Sequence, residues 1–408
     1  MNIPNQIIPD SGNDVQFVRQ HLIDPESCLC CGSCEAACSE GAIQTDRLMQ
    51  RYVIDPAKCN DGHACLDACS SNAIKTWQMV PAGKPYSIEE QFAWDVLPPT
   101  LEMGGQTVPL ILDEEELPQG HPAPASASEP VTFRYTQQKP LAVRIESNVR
   151  VTDAASDTDV HHIVLDFQNT DFTWLEGQNI GVLPPGADAN GHAHHMRAYS
   201  IASSRGGETA GSRQMALTIK RVIDMHEGKP YYGIASNYMC DLKPGDTIRC
   251  VGPIGSHFLM PQDPASRIMM ICSGTGIAPM RSFVQQQERM DDKLRHPLQL
   301  FYGGRTGAEM AYVDELRQVP ETTLALHLAL SRSLVHPKRY VQDLLRERSD
   351  QVAEFLQDGN GHIFICGMIA MGQAVMTLLA EIAEQHQLPW EDLHRRLLHE
   401  GRLQIETY

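Results

Sequence analysis

The chain is short of positive charge, of long apolar runs and, over most of its length, of cysteine. Its 408 residues carry 33 Lys and Arg against 51 Asp and Glu, a formal charge of -18 with a pI near 5.3. Nucleic acids and anionic membrane surfaces both attract basic proteins, so neither is an expected partner, and a docking partner should be basic where it meets the chain. No run of eighteen apolar residues occurs, so no membrane-spanning helix is expected, and the opening MNIPNQIIPD lacks the charged and apolar regions of a signal peptide. The expectation is a soluble, cytoplasmic protein. Cysteine is scarce outside one segment: eight of the twelve fall between Cys28 and Cys69. In a reducing compartment such crowding points to metal ligation rather than a disulfide framework.

The length leaves room for two or three domains. Composition divides it into a cysteine-rich segment, 1–78, and a stretch rich in proline and acids, 79–130, with DEEE at 113–116 and HPAPASASEP at 121–130, read as a linker. From 131 to 262, short β-branched or alternating runs such as HHIVLDFQ and MALTIKRV are separated by Gly and Pro, which suits an antiparallel barrel. From 263 to 408 the pattern becomes strand, glycine turn, helix, implying a parallel sheet with a ligand crevice at the strand ends. The fold class expected is therefore multidomain α+β.

In CLCCGSCEAAC, Cys28, Cys31, Cys34 and Cys38 stand as C-x2-C-x2-C-x3-C, and CNDGHACLDAC places Cys59, Cys65 and Cys69 in the same register. A tight loop with this spacing supplies three converging thiolates and leaves the fourth to reach a second cluster. The segment resembles bacterial two-cluster ferredoxins. That resemblance implies one 4Fe–4S cluster on Cys28, Cys31, Cys34 and Cys69, and a second centre on Cys38, Cys59 and Cys65. Gly62 stands where the second centre's remaining cysteine is expected. Asp61, His63 or Cys30 could complete a 4Fe–4S cube, or the centre could be 3Fe–4S.

RAYSIASS at 197–204 offers an arginine fork for a diphosphate, a phenol that can lie on an isoalloxazine ring and a hydroxyl that can reach the nitrogen gaining a hydride. It resembles the R-x-Y-S-x-x-S signature of plant-type ferredoxin–NADP reductases, which gives Arg197, Tyr199 and Ser200 those roles. YGIASNYMCDLKPGD at 232–246 resembles that family's second flavin element, implying diphosphate contacts from Gly233, Ile234, Ala235 and Ser236, with Lys220 near the adenosine. FAD is expected over FMN. HAHH at 192–195 is read as a solvated loop, and Cys240, Cys250 and Cys272 as buried, inert thiols.

SGTGIAP at 273–279 follows an apolar strand and opens a helix, where glycines admit a phosphate to unpaired N–H groups. By the same resemblance Gly274, Thr275, Gly276, Ile277, Ala278 and Pro279 hold the NADP diphosphate, with Ser273 beside the flavin. Ser331, Arg332, Lys338 and Tyr340 match the 2′-phosphate contacts, two cations and two hydroxyls that favour NADPH over NADH. Cys366, Gly367 and Met371 match the Cys-Gly-x-x-x-Met against the nicotinamide. The terminal Tyr408 would stack on the flavin, and Glu406 would serve hydride transfer beside Cys366 and Ser200.

The order ferredoxin, acidic linker, plant-type reductase resembles the reductase components of benzoyl-CoA oxygenase (epoxidase) systems. It implies that NADPH, FAD and iron–sulfur clusters relay electrons to a separate di-iron oxygenase. A homodimer is left open, as are a general NADPH–ferredoxin reductase and a flavin and iron–sulfur redox sensor.

Overall fold

Spacing in the sequence becomes an internal repeat in the first part of the chain and a barrel with a parallel sheet in the rest. The computed structural model describes residues 6–10, 13–25, 28, 34–35, 38, 40–46, 51–59, 64–67, 69, 73–74, 76–81, 85–94, 97–98, 102–103, 106–107, 122–137, 139–187, 194, 196–226, 229–290, 295–333 and 337–408. Two compact units divide it, Met1–Gly120 and His121–Tyr408.

The first unit has strands β1 (Gln6–Asp10), β2 (Asn13–Leu22), β3 (Ile43–Asp46), β4 (Arg51–Ile54), β5 (Thr76–Pro81), β6 (Glu102–Met103) and β7 (Gln106–Thr107). β1, β2 and β5 form one antiparallel sheet, and β3 pairs with β4. Cys28, Cys34 and Cys38 precede Cys59, Cys65 and Cys69 by a constant offset, and the contacts repeat at that offset. The Asp24 N–H donates to Ala73 O and the Asp55 N–H to Ala42 O, both at 2.8 Å; the Cys28 N–H donates to Asp24 O (2.9 Å) and the Cys59 N–H to Asp55 O (3.0 Å). Ile23, Ile43, Ile54, Leu66, Ala73 and Ile74 are buried between the halves with Cys34 and Cys65. Each half supplies one face of a core too small to form from either alone.

Both ends of the span read as linker, 79–130, carry structure. β5 runs through Pro81, and a helix at Ile88–Phe92 opens on a Ser87–Glu90 capping box. Its Gln91 is buried and exchanges two hydrogen bonds with the Ile54 backbone, at 2.8 and 3.1 Å. Beyond the undescribed residues, Pro122 O accepts from Gln404 Nε2 (2.9 Å), Arg205 Nη1 donates to Ser128 Oγ (2.9 Å), and Ala127 bridges Pro261. Proline removes a donor but leaves its carbonyl, so such a segment can still be anchored through acceptors. The acidic run at 113–116 lies outside the described residues.

In the second unit, β8 (Leu141–Arg150), β9 (Val160–Asp166), β10 (Asn179–Leu183), β11 (Arg197–Ser200), β12 (Gln214–Lys220) and β15 (Thr247–Ile254) form an antiparallel sheet in the order β11-β10-β15-β8-β9-β12; β13 (Ile223–His226) and β14 (Lys229–Tyr232) make a separate hairpin between them in sequence. A bridge between Ile201 and Leu217 joins the two edges, closing the barrel over Phe167, Phe172, Trp174 and Met239. Then β16 (Arg267–Ser273), β17 (Leu298–Gly304), β18 (Leu324–Leu330), β19 (Gly361–Gly367) and β20 (Leu403–Thr407) form a parallel sheet in the order β18-β17-β16-β19-β20. Alternate residues of β16 face opposite layers: Met270 and Cys272 pack with helix Ile277–Arg289, Met269 and Ile271 with helices Val341–Arg346 and Ile369–Gln385. The chain leaves β16 toward β17 and returns on its other side as β19, so the topological switch point lies between β16 and β19.

Barrel and sheet are joined by a buried ion pair. Arg281, on the helix that leaves β16, donates through both terminal nitrogens to Glu208 of the barrel (2.7 and 2.9 Å) and through Nη1 to Ala202 O (3.0 Å). The guanidinium lies 4.7 Å over the Tyr312 ring, whose hydroxyl meets Thr218 Oγ1 (2.7 Å) and His162 Nδ1 (2.9 Å) on barrel strands. Burial acts to raise the Glu208 pKa, but hydrogen bonds from His162 and Arg281 outweigh it and hold the carboxyl well below the usual range. The resulting stability is present above about pH 4.5 and is lost as pH falls through the depressed folded value. Glu208→Gln should therefore cost about 3–5 kcal/mol at pH 7, measured by urea denaturation, with the gap from wild type closing as the pH drops below about 4.

Candidate active site

Two glycine turns meet at the switch point. β16 ends at Ser273, a single 3-10 turn covers Gly274–Gly276, and the helix begins at Ile277, with Ala278 and Pro279 buried in its first turn. A Cβ on Gly276 would lie 2.2 Å from Cys366 O, and one on Gly367 (φ +140°) would lie 2.6 Å from Ser273 Oγ. Only glycine lets the ends of β16 and β19 approach so closely. The turn's helix starts from a glycine N-cap with no side-chain hydrogen bond to its first amides, as does helix Ile234–Asp241 at Gly233. The amides of the Gly274–Gly276 turn and those from Ile234 onward suit an anionic oxygen, whereas the Ile277 N–H already donates to Gly274 O and Pro279 has none.

The chain terminus is held on this loop. The Tyr408 N–H donates to Gly367 O (2.9 Å), the Ile369 N–H donates to Tyr408 O (3.3 Å), and the half-exposed Tyr408 hydroxyl is hydrogen-bonded to Thr275 Oγ1. Met371 is buried one turn into the helix that follows Gly367.

Register brings the remaining groups together. Cys366 pairs with Glu406 on β20 and with Cys272 on β16. Asn179 pairs with Ser200 on β11, and its Nδ2 donates to Glu406 Oε1 and Oε2 at 3.4 and 3.5 Å. Ser200, Asn179, Glu406 and Cys366 thus form one chain of neighbours from barrel to sheet. Burial pushes Glu406 up to about 7, against the Asn179 hydrogen bond, and burial with the nearby Glu406 and Cys272 pushes the Cys366 thiol far above its usual range. The thiol is neutral, and Glu406 exchanges a proton near neutrality. His257 Nε2 lies 3.9 Å from Glu406 Oε1. Sequence reasoning missed Asn179 and His257; a lone polar residue in the apolar run NIGVL was the available signal for the first.

Of the residues expected at the flavin, Arg197, Tyr199 and Ser200 share the edge strand β11. Arg197 Nη1 donates to Met196 O (2.8 Å), and Tyr199 packs on the barrel core, where burial raises its phenol pKa. Ser236 Oγ donates to Gly233 O (3.2 Å) and accepts from the Val222 N–H (3.2 Å), fixing the turn ahead of exposed Ile234 and buried Ala235. Lys220 is exposed at the end of β12. At the far side of the parallel sheet, the Ser331 N–H donates to Gly304 O (3.0 Å) and the Arg332 N–H to Arg305 O (2.7 Å). Lys338 Nζ stands 4.9 Å over the exposed Tyr340 ring. Arg305, exposed beside Arg332, adds a cation that the motif did not include.

In the first unit, Cys28, Cys38, Cys59 and Cys69 pack against the core that contains Cys34 and Cys65. Cys31 lies outside the described residues, as do Cys30, Asp61, Gly62 and His63. The Ala42 N–H donates to Cys38 Sγ (3.4 Å) and the Ala73 N–H to Cys69 Sγ (3.1 Å), each four residues on. Burial, with Cys59 and Cys38 close by, lifts the Cys65 thiol to about 11. Clustered thiols, with N–H donors aimed at the Cys38 and Cys69 sulfurs, suit a cationic cluster that would take thiolates. Among the described residues, no group of three or more His, Cys, Asp or Glu side chains has the arrangement of a site for a single metal ion.

Gly276→Ala tests the turn: its Cβ must displace the Cys366 carbonyl, so NADP+ binding to the FAD-loaded protein, followed by difference spectroscopy, should weaken at least about tenfold, with a stability loss of about 1–3 kcal/mol.

Residues 147–258 match the oxidoreductase FAD-binding domain family, and residues 270–377 the oxidoreductase NAD-binding domain family. The chain is 33% identical over 285 residues to the ferredoxin–NADP reductase of Spirulina sp, covering 67% of this chain and 97% of that one. It is 33% identical over 288 residues to the chloroplastic leaf isozyme 2 of Oryza sativa subsp. japonica, covering 68% and 78%. Among solved structures it shares its fold with a ferredoxin–NADP+ reductase from Plasmodium falciparum, at 24% identity and a TM-score of 0.54, covering 69% of this chain and all of that one. The matched domains contain both the barrel strand and the glycine turns of the site, and the chain belongs to the ferredoxin–NADP reductase family.

Proposed function

We propose that the chain oxidises NADPH and sends the electrons, through FAD and iron–sulfur centres in its own N-terminal unit, to a separate di-iron oxygenase, with benzoyl-CoA as the oxygenase's substrate. The observation that carries the reductase reading is the Asn179 contact with Glu406, which joins β10, the neighbour of the strand that carries Arg197, Tyr199 and Ser200, to the strand paired with Cys366. Bound FAD would accept a hydride as an electron pair and release electrons singly.

On this reading Arg197 and the amides of Gly233, Ile234, Ala235 and Ser236 hold the FAD diphosphate, and Tyr199 lies on the flavin ring. Ser200, opposite Asn179, directs its hydroxyl to the flavin edge, with Ser273 beside it and Lys220 toward the adenosine. The turn Gly274, Thr275, Gly276, with Ile277, Ala278 and Pro279, holds the NADPH diphosphate. Ser331, Arg332, Lys338 and Tyr340 take its 2′-phosphate, and Cys366, Gly367 and Met371 bound the nicotinamide. The neutral Cys366 thiol gives that ring an uncharged wall, and Glu406 holds or releases a proton beside it. Tyr408, tethered to Thr275 and Gly367, would cover the flavin and give way to nicotinamide.

Cys28, Cys31, Cys34 and Cys69 would hold one 4Fe–4S cluster, and Cys38, Cys59 and Cys65 a second centre, 4Fe–4S or 3Fe–4S. Such centres carry one electron at a time. A ferredoxin unit at 1–78, attached through 79–130 to a barrel at 131–262 and a nucleotide domain at 263–408, meets its reductase at high effective concentration. The oxygenase assignment rests on that order of modules.

Two measurements test the reading. Purified protein with benzoyl-CoA oxygenase, benzoyl-CoA, O2 and NADPH should form oxygenated product. Rapid NADPH-to-dye turnover without product would remove the oxygenase while keeping the reductase, and would favour a ferredoxin as acceptor. Low-temperature EPR should show iron–sulfur signals, in the oxidised protein if the second centre is 3Fe–4S and otherwise after reduction; protein reconstituted with iron and sulfide that stays silent in both states would remove the clusters.

A further inference from the structure

Each hydride that arrives and leaves as two single electrons also leaves one proton behind, and that proton needs a way out. The Glu406 carboxylate is the group placed to receive it, yet the groups around it are poor outlets. β19 contributes the neutral Cys366 thiol, β16 the buried Cys272 thiol beyond it, and β10 the amide of Asn179, which cannot titrate. Just past its own strand, the Tyr408 hydroxyl points to Thr275. The segment after β15 supplies the exception. Its His257 ring is largely buried, with Nε2 3.9 Å from Glu406 Oε1.

We propose that His257 is the proton-exchanging partner of Glu406, carrying the proton from the flavin edge through the barrel wall after electrons depart to one-electron acceptors. The step rests on the hydride-transfer reading above and balances: NADPH yields NADP+ and a hydride, the hydride yields two electrons and one proton, the electrons go to the acceptor, and the proton passes from Glu406 to His257 and then to solvent. A gap of 3.9 Å is beyond a direct hydrogen bond but within reach through one water. The geometry is held from both sides. The Leu259 N–H donates to His257 O (2.7 Å), Phe258 is buried next to it, and Gln178 Nε2 ties Gly255 O (2.9 Å) to the strand that carries Asn179. With Glu406 lifted to about 7, its carboxyl gains and loses a proton near neutral pH, 3.9 Å from the His257 ring.

The test compares wild type with His257→Gln, both loaded with FAD, by stopped flow between about pH 5.5 and 9. Reduction by NADPH, which delivers a hydride and needs no proton exit, should stay within about twofold. Reoxidation by ferricyanide, after reduction by either NADPH or dithionite, should slow at least about tenfold and lose the wild-type pH dependence. The pH slope of the flavin midpoint potential, read by spectroelectrochemistry without turnover, should also change. Wild-type reoxidation rate, pH profile and potential slope in the variant would overturn the proposal. If His257→Gln fails to hold FAD, His257→Asn takes the same measurements, and reoxidation of the wild type that is flat across the pH range would by itself overturn the role. Failure of NADPH to reduce the wild-type flavin would instead overturn the hydride-transfer reading, and the dithionite-reduced samples still decide His257.

Discussion

The Arg281–Glu208 pair sets the geometry on which the site depends. Arg281 sits one turn beyond the glycine turn at the end of β16, and Glu208 lies on the barrel loop that follows β11, so the pair fixes the nucleotide loop relative to the flavin strand. Gln285 and Arg289 extend the attachment along the same helix face, with the Ser204 N–H donating to Gln285 Oε1 (3.1 Å) and Arg289 Nη1 donating to Gly207 O (2.6 Å). Three side chains spaced four residues apart stand on one helix face and bind one loop. The charges are largely out of water, and without Glu208 the Arg281 guanidinium keeps only the half-exposed Glu315, whose Oε1 accepts from its Nε (2.8 Å).

That fixed relation makes the Asn179–Glu406 contact possible, because its two residues come from different domains. Everything proposed for the reaction follows from it. Ser200 and Cys366 are each one register position from this contact, and His257 reaches it from the barrel side. A small hinge motion between barrel and sheet would separate the acid from the hydroxyl, which is why the clasp and the site are one construction.

Much of the second unit was legible in the sequence because its signals are local. Glycine turns between apolar strands and helices announce a switch-point crevice, and the close approach at Gly276 and Gly367 is the physical reason those residues must be glycine. The linker was less legible. Proline and serine in HPAPASASEP suggest solvent, yet Pro122, Ser126 and Ser128 serve as hydrogen-bond acceptors for distant donors, and composition does not reveal distant donors. In the first unit the repeat of cysteine spacing is matched by paired contacts at Asp24 and Asp55, since equal spacing of similar residues permits equal hydrogen bonding on the two sides.

The sequence by itself determined the kinds of chemistry on offer: a thiol, a carboxyl, a phenol and a hydroxyl near two glycine turns, and a second set of thiols at ferredoxin spacing. Each is a matter of residue type and local interval. Tertiary structure alone decided which of them share an environment. Glu406 and Asn179 are 227 positions apart, and Glu208 and Arg281 are 73 apart. Burial in a shared interface, which no local window records, brings Glu406 to the edge of neutrality, joins it to His257, and keeps Cys366 neutral.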